Sequence, residues 1–151
     1  INKKKITGIV DLGCGSGRMT NFLSDTSEAK IFGYEIDNET YKMAVENKNH
    51  DVTIVNKNII DIDFNSLEAN CFIFNGPLYK NEHRSDFEKL INNIHECKSK
   101  VSKKYYIIGI NLDEDERHKA EDRNYIFSTK NLLKSVTAGP NKKLKFFEFN
   151  T

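Results

Sequence analysis

An α/β domain, with a mostly parallel sheet covered by helices on both faces, is the fold class that the sequence predicts, on three observations. Apolar runs of strand length, rich in β-branched and aromatic residues, recur at 6–11, 30–35, 52–56, 71–75, 105–110, 125–128 and 144–149. Helical periodicities fill the gaps between the early runs, and such alternation produces parallel strands joined by right-handed crossovers. The chain has 151 residues, of which 38% are hydrophobic and 30% charged, so it holds one core and no second domain. One domain spanning 1–151 is expected.

The elements follow in order. The first run ends at Asp11 and enters a glycine-spaced turn, after which a helix beginning near Arg18 carries the apolar set Met19, Phe22 and Leu23. The second run ends at Glu35. Asp37 then stands where a short acidic side chain caps a helix over 38–47, whose core face is Tyr41, Ala44 and Val45. After the third run, Asp61 and Asp63 read as turn residues. The fourth run ends at Asn75, and the clearest helical stripe, Phe87, Leu90, Ile91, Ile94 and Cys97, follows it. Ser85 and Glu88 have the spacing of a capping box for that helix. Beyond the fifth run, residues 113–122 are charged all round and read as a solvated segment. The last two runs flank Gly139-Pro140-Asn141, a turn signal, with a short helix at 130–134, which lets the final strand enter antiparallel.

Composition excludes several function classes. With 23 basic and 22 acidic side chains the net charge is +1, so no general field draws the chain to phosphate backbones or anionic membranes; nucleic acid starts as a minority partner. No apolar run approaches the roughly 20 residues that span a bilayer, and the start, INKKK, is not a secretory signal. Cys14, Cys71 and Cys97 lack the spacing of a zinc site or a disulfide framework, which predicts a reduced, cytoplasmic setting. No His/Asp/Glu cluster signals a metal. The chain starts at Ile1, which predicts an incomplete sequence lacking an N-terminal cap.

Asp11-Leu12-Gly13-Cys14-Gly15-Ser16-Gly17-Arg18 places three alternate glycines between a buried strand and a helix. Glycine permits positive φ and removes the Cβ, so the backbone bends sharply and lets a ligand close. The helix that follows offers unpaired N–H groups to an anionic group such as a carboxylate. The spacing also discriminates. A dinucleotide fingerprint would require Gly or Ala where Arg18 stands, and no Lys-Ser/Thr pair follows as a Walker loop demands.

The stretch VDLGCGSGRMTNFL resembles the first motif of class I S-adenosylmethionine-dependent methyltransferases, an acidic residue followed by GxGxG. That resemblance implies a Rossmann-like seven-stranded sheet of order 3-2-1-4-5-7-6 with strand 7 antiparallel, and S-adenosylmethionine as cofactor. It also implies that Asp11, Gly13, Cys14, Gly15 and Gly17 bind the cofactor and that Glu35 takes the ribose hydroxyls, since a carboxylate can accept from both. Asn58 falls where the family usually has Asp beside the adenine amine, with Ile36 and Ile59 as walls for the ring.

By the same resemblance the end of the fourth strand faces the transferable methyl. Asn75 is the candidate for orienting an incoming amine or hydroxyl, or the cofactor's amino group, and Tyr79 is the next; a turn that merely ends the strand competes for Asn75. Asn75-Gly76-Pro77-Leu78-Tyr79 is loosely similar to the NPPY-type motif of enzymes that methylate amino groups of adenine or glutamine. Gly76 replaces its first proline and Leu78 its aromatic residue. It is more similar to the FNPF-like motif of small bacterial methyltransferases of unassigned substrate. His83 reads as a solvated loop histidine, and the basic clusters at 3–5, 98–104 and 142–145 as solvated ends of elements. The sequence thus predicts a methyltransferase of unidentified acceptor, with no membrane partner. Two alternatives stay open: a binding module of the same fold without catalysis, and a nicotinamide-dependent oxidoreductase.

Overall fold

The computed structural model describes residues 6–75, 84–97 and 104–109. In chain order they form β1 (Gly8–Leu12), α1 (Arg18–Thr26), β2 (Lys30–Glu35), α2 (Asn38–Glu46), β3 (Val52–Asn56), two 3-10 turns (Ile59–Asp61 and Phe64–Ser66), β4 (Cys71–Asn75), α3 (Arg84–Glu96) and β5 (Tyr105–Gly109). The strands lie in the order β3-β2-β1-β4-β5 and every neighbouring pair is parallel. This is the expected order for the first five strands; the two later runs, 125–128 and 144–149, lie outside the described residues, as does 113–122. The first strand sits slightly later than the 6–11 run.

Alternation along each strand builds two apolar layers. Ile9, Ile31, Val52, Ile54, Cys71 and Ile73 face one side, where Ala44 of α2 and the partly buried Leu23 and Val45 meet them. Val10, Leu12, Tyr34, Phe72 and Phe74 face the other, against Phe87, Leu90, Ile91 and Ile94 of α3 and the 3-10 turns' Ile59 and Phe64. The α3 stripe is thus buried as the periodicity predicted. Lys104, just before β5, ties that helix down: its Nζ donates to the carbonyls of Ile94, His95 and Cys97 at 2.6, 3.0 and 3.1 Å, satisfying groups that a helix C-terminus leaves unpaired.

Two expectations are corrected. In α1, Met19 and Phe22 are exposed, and the residue driven into the protein is Thr20. Its hydroxyl bonds to Asp11, which fixes the helix's rotation in favour of a polar pair over the larger apolar side chains. Ser85 stands inside α3, which begins at Arg84, and so does not occupy the N-cap of a capping box. Asp37 caps α2 as expected, Oδ1 accepting from the Thr40 N–H at 2.8 Å.

Candidate functional site

Ligands of open α/β sheets gather beyond the carboxyl ends of the strands. At that edge β1 gives way to the glycine turn, β2 ends at Glu35, β3 at Asn56 and β4 at Asn75. Gly13, Gly15 and Gly17 all take positive φ, at 79°, 56° and 81°. Gly15 matters most, because a Cβ built there would meet no atom within 4 Å. Among the described residues the space over it is open, and no side chain fills the bend there. Gly17 introduces α1 in a left-handed conformation and no side chain caps the helix. Gly17 has no side chain with which to cap the first-turn N–H groups.

Three successive amides of the turn are tied to the end of β2. The Tyr34 carbonyl accepts from the N–H groups of Gly13 and Cys14, each at 2.9 Å. The Glu35 carboxylate crosses to Gly15, Oε2 accepting from its N–H at 2.9 Å, while Oε1 accepts from the Asp37 N–H at 2.9 Å. The Glu35 carbonyl in turn accepts from the Lys57 N–H and from Asn56 Nδ2, which joins β3 to the same corner.

Beneath the loop, Asp11 and Thr20 are both buried, the Thr20 hydroxyl donating to Asp11 Oδ2 at 2.8 Å. Burial pushes the Asp11 carboxyl above its ordinary range; the Thr20 bond works against that rise, and the charge of Glu35 adds to it. Cys14 is buried beside Gly33 of β2. Burial, with the nearby charges of Asp11 and Glu35, pushes its thiol up to about 12, which leaves it an inert packing group and no nucleophile.

The other predicted positions separate. Ile36 is 63% exposed and offers a free apolar face beside Glu35, whereas Ile59 is 7% exposed and belongs to the core. Only Ile36 presents much surface to a ring. Asn58 caps the first 3-10 turn, Oδ1 accepting from the Ile60 N–H at 3.2 Å. Asp63 caps the second, accepting from the Asn65 N–H at 3.0 Å. Asn75 ends β4 beside Gly109 of β5, and Phe74 pairs with Leu12, so the last residue of β4 stands next to the glycine turn's root. Tyr79, His83 and Gly76-Pro77-Leu78 lie outside the described residues. Thr20 and Gly33 are what the sequence reading passed over. A small β-branched polar residue within an apolar helix face and a glycine inside a strand were the signals available.

Two surface hollows lie away from this edge, one of about 260 Å³ beside Phe64 and Cys97 and one of about 330 Å³ beside Ser27 and Lys30. Neither touches the glycine turn. Among the described residues no group of His, Cys, Asp and Glu side chains could hold a metal, and no helix is long and apolar enough to cross a membrane.

Comparison with known proteins finds methyltransferases. A family model described as a methyltransferase domain matches residues 9–101. Ribosomal RNA small subunit methyltransferase A of Mesomycoplasma hyopneumoniae (strain 232) is 33% identical over 72 residues, 47% of this chain and 27% of that protein. The chain thus spans about a quarter of that curated relative's length. Among solved structures, the N-methyltransferase NodS from Bradyrhizobium japonicum WM9 superposes with a TM-score of 0.67 at 12% identity, covering 88% of this chain and 71% of the other. A TehB-like SAM-dependent methyltransferase from Corynebacterium glutamicum gives 0.61 at 18% identity, with 87% and 64% covered. At such identities these two likenesses speak to the fold.

Proposed function

This chain belongs to the methyltransferase domain family, and from that premise we propose that it binds S-adenosylmethionine at the carboxyl edge of β1 and β2 and supports transfer of its methyl group. The single observation that carries the reading is the 2.9 Å bond between Glu35 and the Gly15 amide, which draws the glycine turn and a carboxylate suited to ribose hydroxyls to one point. The surroundings fit the cofactor: open space above Gly15, first-turn amides of α1 without a side-chain cap, and the exposed face of Ile36. When bound, the cofactor supplies a methyl group that its sulfonium already makes electrophilic.

The protein's task is then binding, orientation and exclusion of water. Glu35 keeps unused lone pairs for the ribose hydroxyls, the first turn of α1 favours the amino-acid carboxylate, and Ile36 covers one face of the base. Cys14 and the backbone of Gly13, Gly15 and Gly17 shape the turn, with Asp11 fixed beneath by Thr20. Asn58 stands on the β3 side of the base position, with Ile59 packed in the core beneath it, and Asn75, joined by Tyr79, orients the acceptor at the end of β4. A neutral amine acceptor attacks with its free lone pair and sheds its proton to solvent after transfer, so it would need no general base, whereas a hydroxyl acceptor would. The buried free thiols of Cys14, Cys71 and Cys97 suit a reducing cytoplasm.

For the acceptor, the name of the curated relatives supports ribosomal RNA as the first class to try. The net charge of +1 works against a broad phosphate-binding face, and Lys104, at the edge of one basic cluster, spends its ammonium on α3 carbonyls. Calorimetry with S-adenosylmethionine, S-adenosylhomocysteine and NADH tests the cofactor, and transfer of labelled methyl to small-subunit ribosomal RNA or to a protein extract tests the acceptor. Saturable one-to-one binding of the two sulfur nucleosides is expected, with none of NADH. Tighter binding of NADH would overturn the reading in favour of an oxidoreductase, and binding without transfer to any acceptor would leave a binding module.

A further inference from the structure

The Tyr34 carbonyl has two lone pairs, and the Gly13 and Cys14 amides occupy both, so the root of the turn is fully tied. The next link is different in kind. Among the described residues nothing is packed where a Gly15 Cβ would stand, and the Gly15 amide meets Glu35 Oε2 at 2.9 Å. The carboxylate is itself immobilised, because Oε1 accepts from the Asp37 N–H at 2.9 Å and Asp37 is committed to capping α2. The path from α2's cap through Glu35 to Gly15 is continuous. A carboxylate offers about four acceptor sites; two are used by these amides, and two remain for a pair of hydroxyls.

We propose that Glu35 is a positioning residue for the glycine turn, holding the Gly15 amide so that the turn keeps the shape that receives the amino-acid end of the cofactor, in addition to accepting the ribose hydroxyls. The inference rests on the cofactor reading above for its functional meaning, while the contact itself is present without ligand. It follows that Glu35 contributes to binding of a ligand that has no hydroxyls to offer it. The ribose end and the amino-acid end of the site are coupled through one side chain. Gln can keep only one of the two contacts, since its amide has one oxygen and turns an N–H2 donor toward the other backbone N–H.

Two measurements on Glu35→Ala and Glu35→Gln test this. The first is amide hydrogen exchange in the ligand-free protein. Exchange at Gly15 should rise about ten-fold or more, as loss of a hydrogen bond to a charged acceptor implies, with the Phe72 and Ile73 amides of β4 unmoved. Unchanged exchange at Gly15 in folded Glu35→Ala, or a rise shared equally by β4, would overturn the proposal, and Glu35→Gln, which can keep one oxygen on Gly15, should fall between Ala and the native chain. The second is affinity for S-adenosylhomocysteine and for its 2′,3′-dideoxy analogue. If Glu35 positions the turn, Glu35→Ala binds the dideoxy analogue about ten-fold more weakly than the native chain does, and Glu35→Gln less so. Equal affinity for that analogue would confine Glu35 to ribose contact and refute the positioning role. Failure of the native chain to bind S-adenosylhomocysteine would instead strike the cofactor reading, and exchange at Gly15 would still decide the role of Glu35 in holding the turn.

Discussion

Gly33→Ala perturbs the site from below and can be worked through in distances. Gly33 pairs with Asp11 of β1 and Ile54 of β3, and the missing side chain leaves the hollow that Cys14 occupies. A Cβ there would stand 2.9 Å from Cys14 Sγ and 3.2 Å from both Cys14 Cβ and Thr20 Cγ2, where ordinary contact begins at 3.4 Å. The sulfur must retreat by about half an ångström, by a turn of the Cys14 side chain or a shift of the loop, while the 3.2 Å contacts with Cys14 Cβ and Thr20 Cγ2 press on the turn and α1. Overpacking of this kind costs about 1–3 kcal/mol. Cys14→Ala alone removes a buried sulfur of roughly one methylene's size, at about 1 kcal/mol. Made together, the two changes relieve the worst contact, so the double variant should be more stable than the sum of the singles by about 1 kcal/mol. Urea denaturation of the four proteins measures this, with m expected to stay constant and the midpoint to move. Costs that add within about 0.3 kcal/mol would mean that Cys14 is not seated over Gly33, and the account of the turn's docking would be wrong.

Three further outcomes are expected. Lys104→Met should strip the ammonium from three α3 carbonyls and lower unfolding free energy by about 1–3 kcal/mol, read from the urea midpoint; a change under about 0.5 kcal/mol would show the cap to be idle. Asp11 has a native carboxyl held above the unfolded value of 3.8, so the folded state binds its proton more tightly. Its contribution is most favourable below pH 3.8 and is lost as pH rises through the native value. Asp11→Asn should gain stability relative to the native chain over that rise, and a difference independent of pH between about 3 and 7 would contradict the assignment. Gly15→Val should fold, because open space surrounds the site, at a cost of about 1–2 kcal/mol for a side chain at positive φ. It should nonetheless lose most cofactor affinity, as should Glu35→Ala; calorimetry showing native affinity in both would remove the turn and the carboxylate from the site.

Legibility in the sequence followed the range of the interactions. The strand runs, the α3 stripe, the Asp37 cap and the alternate glycines are set by neighbours along the chain, and periodicity or turn chemistry reveals them. Glu35 was visible through its place at a strand end, but its hold on Gly15 was not, because the parallel register of β1 with β2 brings them together. Thr20 illustrates the same limit. Its burial depends on a bond to Asp11 across the strand–helix turn, and that bond reverses the ranking that hydrophobicity gives to Met19 and Phe22. Ile59, read as a wall for a ring, is drawn into the core by the 3-10 turn that Asn58 caps. Lys104 belonged to a basic cluster on paper and to a helix end in space.

The most direct measurement is a titration of the isotopically labelled protein with S-adenosylhomocysteine, following backbone amide resonances. Shifts concentrated at Gly13, Gly15, Gly17, Arg18, Glu35 and Ile36 are predicted, with the amides around Phe64 and Ser27 unmoved. Saturating shifts at either of those hollows, with the glycine turn silent, would contradict the account.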